Sequence, residues 1–434
     1  MAADIKSADA VLFEQNNRTI SDIENREAPT GKMVFDGAKK VKVNSKGLEQ
    51  NYAGAVTIQV QGGSIDNEWA EGGTFKYFRD KIFATHLQTG YEIGQDKYLE
   101  YGAGNKDVLV SMAQEIEKVA AEFVKIREAI ILGDGSGALC WIKTQAAGSS
   151  TTVFQFVTTG DGTHAKTFGA YYIKPGVQYD LVDPSAGTPV QSRVTFSSVD
   201  YVNNTATVGS ATIALTNGMI TNQTILVMPD TYNNVPKGLR YIYAVDKQGY
   251  FQNNDLAGDT NRNTPGLNAA GRSISNSLLR LARDRAIIRR EEKPSFKMML
   301  SVAQMALLEA KAEGLFRFAA GTKTYDTSVD DARYKEFTFE VAKHFDADLA
   351  LGCNLADNVV VERMSIGPIK GPDGELFHIA YGANGRPRGK FHMAYGSYDG
   401  MGSETPQNGI QIFNLSHAGG VTLANYRETG LGGL

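Results

Sequence analysis

The longest regular pattern of apolar positions in this chain runs from Val108 to Ile130. Val108, Met112, Ile116, Val119, Phe123, Ile126 and Ile130 recur at intervals of 4, 4, 3, 4, 3 and 4, which places them on one stripe of a helix. The spacing predicts a helix over 106–132, ~40 Å long at about 1.5 Å per residue and longer than most globular helices. Glu115, Lys118, Glu122 and Lys125 are expected on the opposite, solvated side. Gly133-Asp134-Gly135-Ser136-Gly137 then stops the helix abruptly, as glycine does at a helix C-terminus.

Ahead of that helix the pattern is weaker. Residues 1–50 are polar, of mixed charge and without periodicity. They read equally as an extended arm that gains order against a neighbour and as a disordered tail. Val56-Thr57-Ile58-Gln59-Val60 alternates as a strand does and ends at Gly62-Gly63. A charged, aromatic stretch follows from Trp69-Ala70-Glu71-Gly72-Gly73-Thr74-Phe75 to Tyr101. Glycine pairs beside long polar strands predict a projecting two-stranded loop, which in isolation is marginal and so implies a partner surface.

Behind the helix the composition changes. No glutamate occurs between Glu128 and Glu291, and Thr, Ser, Val and Asn dominate to about residue 240. Val194-Thr195-Phe196-Ser197 and Thr205-Ala206-Thr207-Val208 flank the turn residues Asn203-Asn204, and Ala211-Thr212-Ile213-Ala214-Leu215 is a further short strand. Short strands with regular turn signals predict a small β-barrel or sandwich over 146–236, inserted as a separate block. From about 240 the pattern is mixed. A helix is expected from Ser275 to about Arg290, then a strand ending at Met298-Met299-Leu300. Ser301-Val302-Ala303-Gln304 forms a capping box for another helix, stopped by Gly314. Asp326 to Asp331 is an acidic loop. The remainder is strand-rich, with a Gly371-Pro372-Asp373-Gly374 turn, strands around Phe377-His378-Ile379-Ala380 and Phe391-His392-Met393-Ala394, and closing strands at Ile410–Phe413 and Val421–Leu423. No internal repeat is visible.

The fold class is therefore α+β. A length of 434 residues allows two or three compact units. A net charge of −4 leaves no global basic field for nucleic acid, which disfavours a DNA-reading protein and permits a container wall that does not adhere to its contents. Cys140 and Cys353 are far apart and form no CxxC or Cys/His spacing, so neither zinc nor a disulfide framework is indicated; a reducing cytoplasm is the natural compartment. No signal-peptide core or run of about 20 apolar residues occurs, so no membrane partner is expected.

Chemical motifs are sparse. Gly385-Arg386-Pro387-Arg388-Gly389-Lys390 lacks a phosphate loop's first glycine (position 384 is Asn384) and the hydroxyl after its lysine (Phe391), and reads as a basic surface loop. The glycine run at 133–137 follows a helix, whereas a dinucleotide fingerprint opens one. The six histidines are scattered. His378 and His392 are expected to face each other across paired strands, as surface neighbours in preference to a metal pair. Glu291, Glu292, Asp326, Asp330 and Asp331 are read as solvated carboxylates. Arg280, Arg283, Arg285, Arg289 and Arg290, with Asp284 among them, form a basic stripe suited to a neighbouring subunit's acidic loop, with phosphate binding as the alternative. No catalytic residue, cofactor or metal site is indicated.

The order of these features resembles the Hong Kong 97-type fold of tailed-phage major capsid proteins. Leu132-Gly133-Asp134-Gly135-Ser136-Gly137-Ala138 is the most family-like string. The resemblance implies an N-terminal arm over 1–50, an E-loop with flanking strands over 51–105, a spine helix and the start of the P-domain over 106–145, and the inserted β-rich block over 146–236. P-domain at 237–296, A-domain at 297–350 and strands shared by both at 351–434 complete it. It further implies a non-enzymatic subunit that forms hexamers and pentamers of an icosahedral head around double-stranded DNA, made in the host cytoplasm and located in the virion. Portal and decoration proteins are implied partners. The short polar segment before the first strand leaves no room for a built-in scaffolding segment, so a separate scaffolding protein is expected. Some members cross-link an E-loop lysine to an asparagine; Lys76, Lys81 and Lys97 are available, but no string assigns a partner and cross-linking is not expected. Intersubunit contacts are assigned to Lys76, Arg79, Lys81, Lys97, Arg283, Arg289 and Arg290. The alternatives are a cellular nanocompartment shell of the same fold and, from a different class, a β-rich hydrolytic enzyme.

Overall fold

The computed structural model describes residues 19–43, 47–56, 75–103, 105–142, 150–151, 153–156, 169–184, 187–201, 203–208, 213–214, 224–244, 264–289, 296–308, 333–334, 337–370, 375–381, 387–403 and 405–416. From residue 19 the expected extended arm is instead helical: α1 (19–27) and α2 (Pro29–Gly37) lead into a strand, β1 (Lys39–Lys42). The segment carries only a few apolar side chains, too few to show a period, but Ile23, Ala28 and Val34 are all buried. Proline at the first turn of α2 suits a position with no intrahelical hydrogen bond to lose.

The hairpin strands are β2 (Gly47–Val56) and β3 (Phe75–Phe83), paired antiparallel with Asn51 opposite Arg79. Among the described residues neither pairs with a third strand. The strand expected from Val56 thus starts nine residues earlier, and 57–60 lie outside the described residues. The base of the hairpin packs inward, where Ile82 joins Val359 and Val361 with Leu48 alongside. The stretch after it belongs to the body: β4 (Thr85–Gly94) pairs along a long central strand, and α3 (Gln95–Gly102) packs Tyr101 against Met112 and Phe377.

The helix read from periodicity is α4 (Lys106–Leu132). Asn105 caps it by accepting the Asp107 N–H. At its other end Gly135 and Gly137 have φ of +78° and +81°, a region open to glycine at little cost. Its N-terminal half is amphipathic as expected. From Phe123 onward it is enclosed on nearly all sides, and Lys125, Arg127 and Glu128 are buried with Val124 and Ala129; Lys125 is therefore not on a solvated face.

Next comes a six-stranded antiparallel sheet, β5 (Ala138–Trp141), β7 (Val153–Gln155), β8 (Gln178–Asp183), β9 (Thr188–Asp200), β10 (Thr205–Val208) and β12 (Ile225–Val227), ordered β5-β12-β8-β9-β10-β7. A bridge between Ile142 and Phe156 joins its two ends and closes the sheet on itself. Leu139, Phe154, Tyr179, Leu181, Phe196 and Leu226 fill the inside, and Ala129 of α4 is part of that core. The sheet thus starts directly after the glycine stop, ahead of residue 146. Two short strands, β6 (Ser150–Thr151) and β11 (Ile213–Ala214), pair separately.

A short helix, α5 (Leu239–Ile242), leads to a second six-stranded sheet built from β13 (Gly266–Asn268), β14 (Phe296–Leu300), β15 (Arg333–Tyr334), β16 (Phe337–Val341), β17 (Ala350–Cys353) and β21 (Ile410–Phe413). Its order is β13-β21-β17-β14-β16-β15. The helix α6 (Asn276–Arg289) buries Leu278, Leu279, Ala282 and Ala286 against it. Ser275 accepts the Leu278 N–H, and Ser301 accepts the Gln304 N–H at the start of a helix over 302–308. The Gln304 side chain does not close a capping box; it donates to the Ala347 carbonyl. Gly314, the acidic loop 326–331, the turn 371–374 and 421–423 lie outside the described residues. The third large sheet combines β1, β18 (Asn358–Ile369), β20 (Pro387–Ser403) and β19 (His378–Tyr381), with β4 also on β20. His378 and His392 are register partners, as expected.

Candidate functional site

Two features carry functional content: a junction of buried charges on the second half of α4, and the surfaces that the fold leaves open around it. At the junction, Arg127 donates to Asp399 of β20 from Nη2 at 2.7 Å and from Nε at 3.2 Å. Glu24 of α1 lies 3.8 Å from Arg127, and the guanidinium sits over the Phe35 ring of α2. Glu128, one residue on, accepts the Gly31 N–H of α2 at 2.9 Å and faces His344 Nε2 at 3.8 Å. His344 Nδ1 in turn bonds the Tyr172 hydroxyl at 2.7 Å. Lys125 lies 3.4 Å over the Tyr171 ring, whose hydroxyl accepts from Lys343 at 2.7 Å. A single turn of α4, residues 125–128, is thereby tied to the N-terminal helices, the closed β-sheet, the central sheet and the loop after β16.

Burial sets the electrostatics. It pushes the Glu128 carboxyl up to about 7, against the bonds from Gly31 and Thr30 that favour the charged form. Burial alone would raise the Tyr171 hydroxyl, but the bonds from Lys125 and Lys343 outweigh it and bring it below its ordinary value. Beyond the helix end Arg240 of α5, its side chain 11% exposed, is paired with the buried Asp346. Glu128, His344 and Tyr172 line up as a carboxylate, an imidazole and a hydroxyl, yet each is buried. Glu128 and His344 are each 1% exposed, Tyr172 borders a groove beside α4, and the cluster ties α4 to its neighbours. Among the described residues no group of three or more His, Cys, Asp or Glu is arranged to hold a metal, and no helix is long and apolar enough to cross a membrane.

Beside the junction lies an open groove of about 640 Å³ between β4, α4 and the closed sheet. The groove carries Lys118, Glu122, Lys174 and Asp230, with Phe123 and Ile126 in its apolar lining. Lys174 and Glu122 pair across it at 2.9 Å.

The expected contact residues fall in different places. Lys76, Arg79 and Lys81 all lie on β3 in the hairpin. Lys97 lies on α3 in the body and is bound to Glu115 of α4 at 2.7 Å, where Tyr91 and Ser111 also donate. These bonds hold the Glu115 carboxyl below its ordinary value. Arg283 bonds its neighbour Asp284 at 2.8 Å, Arg289 ends α6, and Arg290 lies outside the described residues. The junction residues escaped the sequence reading. The one local signal was the run Phe123-Val124-Lys125-Ile126-Arg127-Glu128-Ala129-Ile130-Ile131, where apolar residues occupy every side of the helix and so enclose the charges between them.

The architecture defines a mixed α/β chain of several sheets around one long helix. No family model matches the chain, and no curated protein matches it. Among solved structures it is similar to a virus-like particle from Pyrococcus furiosus, at 9% identity and a TM-score of 0.40 over 92% of this chain and 98% of that one. It is also similar to the capsid of a native GTA particle, at 9% identity and a TM-score of 0.43 over 89% and 91%. A third is the satellite phage P4 procapsid that includes a size determination protein, at 11% identity and a TM-score of 0.39 over 92% and 91%.

Proposed function

We propose that this chain is a shell subunit, the major capsid protein of a tailed bacteriophage, which acts by self-association and not by catalysis. The observation that carries the reading is the β2–β3 hairpin. Among the described residues it pairs with no third strand, and its base is tied to the body through Ile82 and Leu48. A two-stranded ribbon of this kind gains stability from a surface outside its own fold. The groove beside α4 offers a matching surface on the next subunit. Laid head to tail, hairpin over groove, such contacts close into rings of five and six, and many weak contacts sum to a stable shell. The buried junction suits the role, because a subunit loaded by its neighbours must keep hairpin, helix and sheets at fixed angles. The low net charge fits a wall that encloses double-stranded DNA without adhering to it.

The test shortens the hairpin and leaves its base. Residues 52–78 are replaced by a short glycine-serine turn joining Asn51 to Arg79, which are partners in the ladder. Because β4 and α3 start at Thr85 and Gln95, the replacement spares the body. The expected result is a folded subunit with unchanged unfolding that forms no shells under electron microscopy, while the intact chain does. Normal shells from the shortened chain would remove the hairpin from assembly.

A further inference from the structure

One wall of the groove beside α4 is the edge of a strand. From β4 the groove takes His86, Leu87, Gln88, Thr89 and Gly90, in unbroken succession. A strand that turns one face to a groove contributes every second residue, so an unbroken run marks its edge. The pairing agrees: among the described residues β4 pairs with β20 alone, from Thr85 opposite Asp399 to Gly94 opposite Lys390. In an antiparallel ladder alternate residues turn both N–H and C=O away from their partner strand. Alternate residues of 86–90 therefore direct their backbone groups into the groove.

The space suits one extended strand. A strand is ~4.8 Å wide in the pairing direction, ~10 Å deep and ~3.4 Å long per residue, so a stretch matching 86–90 fills about 800 Å³. A helix of that length, about 10 Å across, fills about 1,300 Å³; the groove holds about 640 Å³. The chain carries a strand of the required kind. β2 has ten residues, as β4 has, and it pairs with β3 along one edge. Among the described residues no strand pairs with its other edge. Within one chain β2 is held in register on β3 and begins at Gly47 opposite Phe83, so it does not run beside its own β4. The strand that fills the groove comes from elsewhere.

We propose that β2 of a second copy of this chain adds to the free edge of β4, so that one sheet, β20-β4-β2-β3, crosses the boundary between subunits. This rests on the shell reading, in which the hairpin enters the groove, and deepens it by naming the bonds. They run from backbone N–H to backbone C=O, and such main-chain ladders supply the affinity of strand addition. The contact therefore requires no particular side chain of the hairpin.

Proline tests it, because proline removes a backbone donor and is tolerated on an edge whose N–H faces outward. Of Gln88→Pro and Thr89→Pro, one loses an N–H bonded to β20 and is expected to destabilise the fold. The other loses an N–H that faces the groove and folds normally. The folded variant is expected to weaken assembly of the full chain on the order of tenfold or more, read by analytical ultracentrifugation. Gln88→Ala and Thr89→Ala keep the backbone groups and are expected to assemble as the unaltered chain does. If the folded proline variant does so too, strand addition is overturned and the shell reading stands. Should neither proline variant fold, amide exchange decides: alternate amides of 86–90 are expected to slow on assembly, and unchanged exchange there overturns strand addition. To identify the occupant, Gln88→Cys in one chain is mixed with Gln50→Cys, Asn51→Cys or Tyr52→Cys in another; the two native cysteines are buried. Disulfide-linked dimers that need both variants are expected. Cross-links confined to a single chain carrying both changes would overturn addition between copies. An unaltered chain that stays monomeric under every condition that supports the fold overturns both readings.

Discussion

Arg127 and Asp399, 272 positions apart in the chain, meet through Nη2 and Oδ2 at 2.7 Å, with side chains 9% and 2% exposed. Their pairing locks the spine of the molecule to its longest strand. A buried pair of this kind contributes little compared with a well-packed apolar pair, but breaking one side of it leaves a charge in a place without water.

Arg127→Met is therefore expected to destabilise the subunit by about 3–5 kcal/mol, because Asp399 keeps its carboxylate and loses its cation. Adding Asp399→Leu should recover most of that loss. Urea unfolding of the subunit below its assembly concentration gives both numbers. A double variant no better than the single one would show that the pair is not the source of the loss.

The long helix was legible because its signal is local. Seven apolar residues at helical spacing, Asn105 before them and glycines 133, 135 and 137 after them specify start, face and stop without reference to any other part of the chain. The strand pairing of Thr205–Val208 with β9, and of His378 with His392, was legible for the same reason. The junction was not. Lys125, Arg127 and Glu128 look like a solvated face by residue type, and what buries them is contributed by Asp399, His344, Tyr172 and the two N-terminal helices. Those helices were hidden in turn, since Ile23 and Val34 are too few to set a period and become core only against α4. The first strand of the hairpin read as arm because Gly47–Val56 carries no sustained apolar alternation.

Glu128 makes the junction sensitive to pH. Its carboxyl titrates near 7 in the folded chain against an ordinary value of 4.5. Between those values the folded state holds a proton that the unfolded chain has released. This group's contribution to stability is thus fully present below about 4.5 and is lost as the pH rises to about 7. At about 1.4 kcal/mol per unit the whole change is at most about 3 kcal/mol. The Lys343 cation near the same carboxylate favours its charged form, but burial outweighs it. Glu128→Gln is expected to flatten the stability curve over that window, gaining on the parent chain as pH rises. Parallel curves for the two proteins would locate the pH dependence elsewhere.

The end of the long helix offers a steric test of how closely its glycine stop is packed. Gly238 begins α5 directly against the last turn of α4, and the Arg240 N–H donates to the Gly133 carbonyl at 3.2 Å. A Cβ at Gly238 would lie 2.3 Å from the Gly133 oxygen, 2.5 Å from that of Ile131 and 2.6 Å from that of Ile130. All three are backbone atoms, so no side-chain rotation relieves the contact. The φ of Gly238 is −96°, a value that alanine adopts freely, which leaves crowding as the only penalty. Gly94 is a matched control: it precedes α3 with φ of −70° and has nothing within 4 Å of the same added carbon. Gly94→Ala is expected to change stability by less than about 1 kcal/mol, and Gly238→Ala to cost about 2–3 kcal/mol as α5 is forced off the helix end. Moving α5 also displaces Arg240 from Asp346, so the loss should be accompanied by faster amide exchange around Asp346 and Leu349. Equal effects from the two substitutions in thermal unfolding would mean that α5 sits less closely on the helix end than the geometry requires.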